Sequence, residues 1–327
     1  MQSITHHHLS NRKRGLGRLP GVAGAAGFAL AAVLGLTGCG GGDSADMPVA
    51  VSESGTPVVH VVNYPLMYFA ERIGGDAVDV RFAAPGDGDP AFWEPTDADI
   101  AAMQSANVIL LNGADYAKWR AGASLPMSRA VDTSAGFAGA YIEVKSTGSH
   151  SHGAGDEHGH DGTAFTTWMD FDQAVQQATA VRDALLAAAP SAEASINANA
   201  AALAAELATM DADFRTVAAG LAGQPLTASH PVYQYFARAY DLDIEAVLWE
   251  PEVVPDDAAM AEFTAMLADH PAKWMIWEGD PDPASVAKLD AMGLRSVVID
   301  PCGNRPDGGD WMSVMKANLE ALRSMAG

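Results

Sequence analysis

The sequence predicts an α/β protein with two similar lobes, each built on a largely parallel sheet, joined by one long helix. Three observations support this fold class. Short apolar runs alternate with helical patterns between residues 57 and 112, the same alternation recurs after residue 224, and a long helical pattern lies between them. Strands of four to seven residues separated by helices are typical of βαβ units and hence of parallel sheets.

The first lobe is expected to span residues 57–172, and the second residues 224–327. Predicted strands of the first lobe are residues 58–63, 78–84 and 108–112, with helices at 66–73 and 97–106. Predicted strands of the second are residues 225–228, 246–249, 273–277 and 296–299, with helices at 232–240, 256–270, 284–292 and 310–325. The two lobes therefore share one pattern.

Residues 173–223 are predicted to be helical and to contain the long linking helix, which starts near Pro190 and stops at Gly223. Its apolar positions are Ile196, Leu203, Leu207, Met210, Phe214, Val217 and Leu221. This spacing places them on one face of a helix. At about 1.5 Å per residue the helix is roughly 45 Å long, enough to run along both lobes. A coiled-coil strand is the alternative interpretation.

The N-terminal segment predicts export. Four basic residues and no acidic residue precede an apolar run at 22–36, which is too short for a membrane span and is typical of a signal peptide. The ending Leu36-Thr37-Gly38-Cys39 resembles the bacterial lipobox, in which the cysteine is lipidated. We expect a signal peptide at 1–38, a lipidated Cys39 and a flexible tether at 39–56. An ordinary signal peptide with an incidental cysteine is the alternative.

The charge of the mature chain limits its partners. Four of the 19 basic residues and none of the 41 acidic residues lie in the first 38 positions, which leaves 15 against 41 and a formal charge of −26. Such acidity argues against nucleic acid and anionic lipid headgroups and favours cations as ligands, although it also keeps an exported protein soluble. Cys302 is the one cysteine after Cys39, so no intramolecular disulfide is expected.

Four histidines lie within eleven residues: His150, His152, His158 and His160. Asp156, Glu157 and Asp161 lie among them, and glycines separate them. Imidazoles beside carboxylates are ligands for a borderline divalent cation, so the tract at 149–161 is interpreted as a metal-collecting loop. A solvated linker without a metal function is the alternative.

Residues distributed over the whole mature chain resemble one family. The matching positions are 63–66, 73–75, 88–90, 94–95, 112–114, Trp119, 168–170, His230, 235–236, 239–240, 277–278, 300–301, Met315 and 318–319. Together they resemble the cluster A-I solute-binding proteins, which supply zinc or manganese to ABC importers. The resemblance implies two α/β lobes joined by one helix, with a metal held between the lobes.

The family's four metal ligands carry over unevenly. The resemblance places the third ligand at His230 and the fourth at Asp300, whereas Ala91 and Thr166 stand where the family has histidines. Two ligands do not hold zinc tightly. We hypothesise that one or two of the four loop histidines complete the shell. Further candidate ligands are His60, Glu94 and Cys302, although a strand histidine and a single cysteine are more often core residues.

The sequence therefore predicts a periplasmic or cell-surface lipoprotein, monomeric and attached to the membrane through its lipid alone. It is expected to capture a divalent metal and deliver it to an ABC permease. Zn²⁺ is the expected metal, with Mn²⁺, Cu²⁺ and Ni²⁺ as alternatives. Zinc-hydrolase and serine-hydrolase motifs are absent, so no enzyme activity is expected. The alternative function is a metal-buffering or adhesin-like lipoprotein that has lost the tight site.

Overall fold

Two parallel four-stranded sheets form the framework of the part of the chain that the structure describes. This computed structural model describes residues 55–83, 86, 88–144, 149–151, 157–159 and 162–327, and only the backbone of 149–151 and 157–159. The predicted signal peptide and Cys39 lie outside these residues. None of the described helices is both long enough and apolar enough to cross a membrane.

The first sheet has the strand order β2-β1-β3-β4, with every neighbouring pair parallel. Its strands are β1 (Val58–Val61), β2 (Asp79–Phe82), β3 (Val108–Leu111) and β4 (Ala130–Asp132). Helices α1 (Tyr64–Gly74) and α2 (Asp97–Ser105) connect them. Asn63 caps α1 by accepting the N–H of Leu66, so this helix begins directly after β1.

The second sheet repeats this order as β10-β9-β11-β12, and its neighbours are also parallel. Its strands are β9 (Pro225–Ala228), β10 (Asp243–Ala246), β11 (Trp274–Trp277) and β12 (Arg295–Val298). Its helices are α5 (Gln234–Tyr240), α6 (Asp257–Asp269), α7 (Pro283–Ala291) and α8 (Trp311–Ala326). The shared strand order confirms the prediction of two similar α/β lobes.

Between the sheets lie α3 (Phe171–Ala188) and the long helix α4 (Glu193–Ala218). The 26 residues of α4 span about 39 Å at 1.5 Å per residue, slightly less than predicted because short 3₁₀ turns flank the helix. The predicted apolar face of α4 is buried, apart from a half-buried Val217. Since α4 contacts α1 and α3 as well as α5 and α8, it links the helices of the two lobes.

Seven aromatic residues, which we call the aromatic junction, join the helices of both lobes. They are Tyr68, Phe69, Phe171, Phe214, Phe236, Tyr240 and Trp311. Phe171 packs between Phe214, at a centroid distance of 5.4 Å, and Trp311, at 5.8 Å. Phe214 in turn stacks on Tyr240 at 5.4 Å. These contacts connect α1, α3, α4, α5 and α8 in one buried cluster.

Two strand predictions need correction. The strand expected at 246–249 is β10 at Asp243–Ala246, because these residues pair with all of β9, whereas Trp249 bonds to Ser229 beyond the end of β9. The short edge strand β4 was not predicted, because its three residues carry no long apolar run. The lobe boundaries at residues 172 and 224 stay predictions.

The segment between the first sheet and α3 carries four short strands. Strand β5 (Glu143–Val144) pairs antiparallel with β8 (Gly162–Thr163), and β6 (Ser149–Ser151) pairs with β7 (Glu157–Gly159). His150 and His158 are register partners in the second pair. His152 and His160 lie outside the described residues.

His60 allows a test of the first sheet. It lies in the interior strand β1, is 3% exposed, and neither ring nitrogen has a hydrogen-bond partner among the described residues. Burial, assisted by the charge of Arg81, lowers the pKa of His60 from 6.5 to about 4. Between these pH values the unfolded chain binds a proton that the folded chain does not. The free energy of unfolding is therefore unaffected by protonation of His60 above pH 6.5 and decreases as the pH falls toward 4.

We expect this difference to cost about 3 kcal/mol of unfolding free energy between pH 7 and pH 4. The variant His60→Phe keeps a ring but does not titrate, so its stability relative to the natural chain should improve by about that amount over the same range. Urea unfolding at several pH values measures both. A pH-independent difference between the two chains would contradict the prediction.

Candidate metal centre

Four side chains of types that can bind a metal follow the four strands of the second sheet. His230 comes after β9, Glu250 after β10, Glu278 directly after β11, and Asp300 after β12. Because parallel strands present their carboxyl ends at one edge, residues that follow them converge there. This edge borders a cavity of about 590 Å³.

His230, Glu250 and Glu278, which we call the His-Glu-Glu cluster, can place one ligand atom each within 4.8 Å of one another. The distance from His230 Nδ1 to Glu278 Oε1 is 3.0 Å, and from His230 Nε2 to Glu250 Oε1 it is 3.6 Å. Among the side chains that the structure describes, no other group of three or more His, Cys, Asp or Glu residues meets this condition. Three such donors match the number of protein ligands in an open zinc site.

The orientation of His230 suits a metal ligand. The ring is 2% exposed, and its Nδ1 lies 3.1 Å from the carbonyl oxygen of Trp249 as well as near Glu278. A proton on Nδ1 that bonds to the Trp249 carbonyl leaves the lone pair of Nε2, on the side of Glu250, for an ion. Metal-binding histidines typically use one nitrogen in this way while a carbonyl or carboxylate holds the other.

The carboxyl group of Glu278 has a strongly shifted pKa. Burial, followed by the negative charges of Asp89, Glu250, Asp300 and Glu252, raises the pKa of Glu278 from 4.5 to about 8. Without a cation the group therefore holds a proton at neutral pH. A bound dication would stabilise the ionised carboxylate and lower its pKa, so metal binding is coupled to loss of this proton.

Asp300 lines the same cavity but is outside the His-Glu-Glu cluster. Its Oδ1 accepts the N–H of Cys302 at 2.6 Å, and Asn318 of α8 bonds to both its backbone N–H and its carbonyl. Burial raises the pKa of Asp300 and also raises that of the Cys302 thiol. Because the thiolate is the form that binds metals, Cys302 is a poor donor here.

The opposite wall of the cavity comes from segments that follow β2 and β3 and from residues just before α3. Aromatic side chains dominate it: Phe92, Tyr116, Phe165 and Trp168. Thr166 also lines it and donates its hydroxyl to the carbonyl of Val232. Ala91 is fully buried, and its N–H bonds to Asp89 Oδ1 at 2.8 Å. The two positions where the resemblance expected histidines therefore offer no imidazole.

Two further hydrogen bonds connect the walls. Trp168 Nε1 donates to the carbonyl of Pro301 at 2.7 Å, and the N–H of Tyr64 donates to the carbonyl of Gly303 at 2.9 Å. Together with the bond from Thr166 to Val232, they fix the first lobe against the second beside the cavity.

The structure brings together only part of the predicted ligand set. His230 and Asp300 line one cavity, as expected. His60 is enclosed in β1, and Glu94 is exposed and does not line the cavity. The geometry gives these two no support as ligands. For the loop histidines His150 and His158 only the backbone is described.

Sequence reasoning missed Glu250 and named Glu278 only as part of the resemblance. Both directly follow segments that were predicted as strands, 246–249 and 273–277. The rule that ligands bind at the carboxyl ends of parallel strands would have singled out both.

Comparison with known proteins identifies the family. Residues 59–325 match the family model of ZnuA, the periplasmic component A of a zinc-uptake complex. The chain belongs to the ZnuA family. Its relatives are proteins that bind metal rather than enzymes, and the chain is not an enzyme.

Two curated relatives of this ZnuA-family chain are named for zinc. The zinc-binding protein AdcA of Streptococcus pyogenes serotype M3 is 24% identical over 282 residues, which cover 80% of this chain and 54% of AdcA. The chain thus spans about half the length of AdcA. The high-affinity zinc uptake system protein ZnuA of Bacillus subtilis is 24% identical over 287 residues, covering 81% of this chain and 86% of that protein.

The fold is also found in a solved structure. The metal-dependent lipoprotein YcdH from Bacillus subtilis superposes with a TM-score of 0.69 at 21% identity, covering 82% of this chain and 98% of YcdH. This similarity supports the two-lobed α/β fold.

Substitution of His230 tests the His-Glu-Glu cluster. His230→Gln removes the cluster's imidazole and is expected to weaken zinc binding by more than about 100-fold, since even the outer partners of metal ligands contribute 10–100-fold. The matched control is His270→Gln, because His270 is also buried but bonds to the carbonyl of Leu226. Calorimetric zinc titration measures both. Equal effects of the two substitutions would argue against His230 as a ligand.

The raised pKa of Glu278 predicts proton release. At pH 7 zinc should displace about 0.9 proton from this carboxyl, and affinity should rise by up to about tenfold per pH unit below pH 8. Calorimetry in two buffers of different ionisation enthalpy gives the number of protons. Glu278→Gln should remove this release, whereas Glu252→Gln, at an exposed position of the cavity, should keep it. The same release from both variants would contradict the assignment.

Proposed function

We propose that this ZnuA-family chain is an extracytoplasmic solute-binding protein that captures Zn²⁺ and passes it to an ABC permease. The observation that supports this function best is the His-Glu-Glu cluster at the edge of an interlobe cavity. No bond of the cargo needs to be broken in this function, because binding is a coordination event. In this proposal the chain acts as a monomer outside the cytoplasm, anchored by a lipid on Cys39.

Zinc is the preferred cargo for two reasons. The relatives AdcA and ZnuA are named for zinc. Imidazole and carboxylate are also donor types that zinc binds, and three protein ligands with an open position match its open sites. By ligand chemistry alone the carboxylates would also suit Mn²⁺, while Cu²⁺ and Ni²⁺ would favour more nitrogen donors.

The histidine-rich loop is proposed to collect metal for the cavity. Its base is the β5–β8 pair, and Val144 and Thr163 from this pair border a small pocket together with Phe165, Thr166 and Val232. The last three of these residues also line the interlobe cavity. The loop is attached at Val144 and Gly162, so both of its ends are fixed beside the residues shared with the cavity. This position supports the hypothesis that a loop histidine completes the metal site.

The test compares the chain from residue 57 onward with a variant in which the four loop histidines are replaced by asparagine. This control keeps the loop's length and charge. If the loop completes the site, the variant should lose tight binding of one zinc per chain; a collecting loop would cost only weaker additional equivalents. Calorimetry with a competing chelator resolves the two classes.

An unchanged tight site in the asparagine variant would reject completion by the loop. Absence of tight binding in the intact chain, both with and without free histidine, would reject zinc capture for transport. That result would favour the alternative, a lipoprotein that buffers metal or acts as an adhesin.

A further inference from the structure

The donors of the metal centre lie on one wall of the cavity. His230, Glu250 and Glu278 all follow strands of the second sheet. Across the cavity, the Thr166 hydroxyl donates a hydrogen bond to the carbonyl of Val232. Asp89 is the one acidic residue of the facing wall among the described residues, and its Oδ1 accepts the N–H of Ala91. The side of a bound ion that faces the first lobe therefore meets mainly aromatic side chains.

The size of the cavity does not match a bare ion. Its volume is about 590 Å³, whereas a water molecule in the liquid takes up only about 30 Å³. Sites for small organic ligands measure about 300–1,000 Å³ and combine apolar or aromatic walls with a few placed polar groups. The wall formed by Phe92, Tyr116, Phe165 and Trp168 opposite a polar cluster fits that description.

The negative charge of the cavity restricts which small organic molecule could bind beside a metal ion. Glu250, Glu252, Glu278 and Asp300 lie on one wall, with Asp89 opposite. One dication compensates two of these carboxylates, so an additional anionic ligand would be repelled. A neutral nitrogen donor would not be repelled, and an imidazole ring would also pack against the aromatic wall.

We infer that this cavity takes up the divalent metal together with a small nitrogen-donor organic molecule, which supplies the coordination that the first lobe lacks. The inference rests on the proposed metal capture and defines its cargo. The missing imidazole has two sources, a free nitrogen-donor molecule or the chain's own histidine-rich loop, and the experiment separates them.

The inference is tested on the variant in which the four loop histidines are replaced by asparagine, which we call the asparagine-loop chain. Equilibrium dialysis measures how much zinc and isotope-labelled L-histidine this chain retains at a fixed free zinc concentration. We expect retention of one zinc and one histidine per chain, with zinc affinity at least about tenfold higher than without histidine. Labelled citrate, an anionic chelator, should not be retained.

Thr166→His supplies an imidazole from the facing wall. This variant should bind zinc without free histidine and lose histidine retention. The control Thr166→Val also loses the hydrogen bond to Val232 but adds no donor, so it should still retain histidine. Circular dichroism on both variants verifies that they fold.

Three results would overturn the inference. Tight zinc binding by the asparagine-loop chain without histidine retention would show that the bare ion is the cargo and leave metal capture intact. Binding that needs the natural loop and ignores free histidine would assign the imidazole to the loop. No zinc binding by any chain, with or without histidine, would instead reject the proposed function itself.

Discussion

Packing of Phe171 between Phe214 and Trp311 sets the relation between the two lobes. These rings belong to α3, α4 and α8, so one buried contact connects the helix layer of the first sheet, the linking helix and the last helix of the second lobe. Fully buried aromatic side chains each contribute about 1.5–3 kcal/mol through the hydrophobic effect. Because this junction fixes the helices, it also fixes the strand ends that build the cavity.

Electrostatic repulsion between carboxylates destabilises this site when no cation is bound. Oxygen atoms of Glu250 and Glu278 approach within 4.8 Å, where two full negative charges repel by about 3–4 kcal/mol at an effective dielectric constant of 20. Protonation of Glu278 relieves that repulsion in the absence of a cation, consistent with its raised pKa. A dication between the two carboxylates converts the repulsion to attraction. The fold therefore holds Glu250 and Glu278 at a distance that is favourable only when a proton or a metal cation compensates their charge.

The fold was largely predictable from the sequence because periodicity reports burial directly. Ile196, Leu203 and Phe214 recur at helical spacing, and each is buried on α4 as expected. The site was less predictable. His230 and Asp300 came from resemblance. Glu250 follows a predicted strand, but its approach to His230 depends on backbone bonds such as that from Trp249 N–H to the Ser229 carbonyl. Such long-range bonds leave no periodic signal, and neither does a cavity volume.

The hydrogen bonds from Thr166 to Val232 and from Trp168 to Pro301 have a kinetic consequence. They join the lobes at the cavity itself, and α4 offers no break at which a hinge could act. Wide separation of the lobes would break these hydrogen bonds and disrupt the packing of the aromatic junction. Under the proposed function, we therefore expect release by stepwise ligand exchange, in which protons or a competing chelator replace one donor at a time. The residence time of the cargo would then respond to the chemistry of its surroundings more than to movement of the lobes.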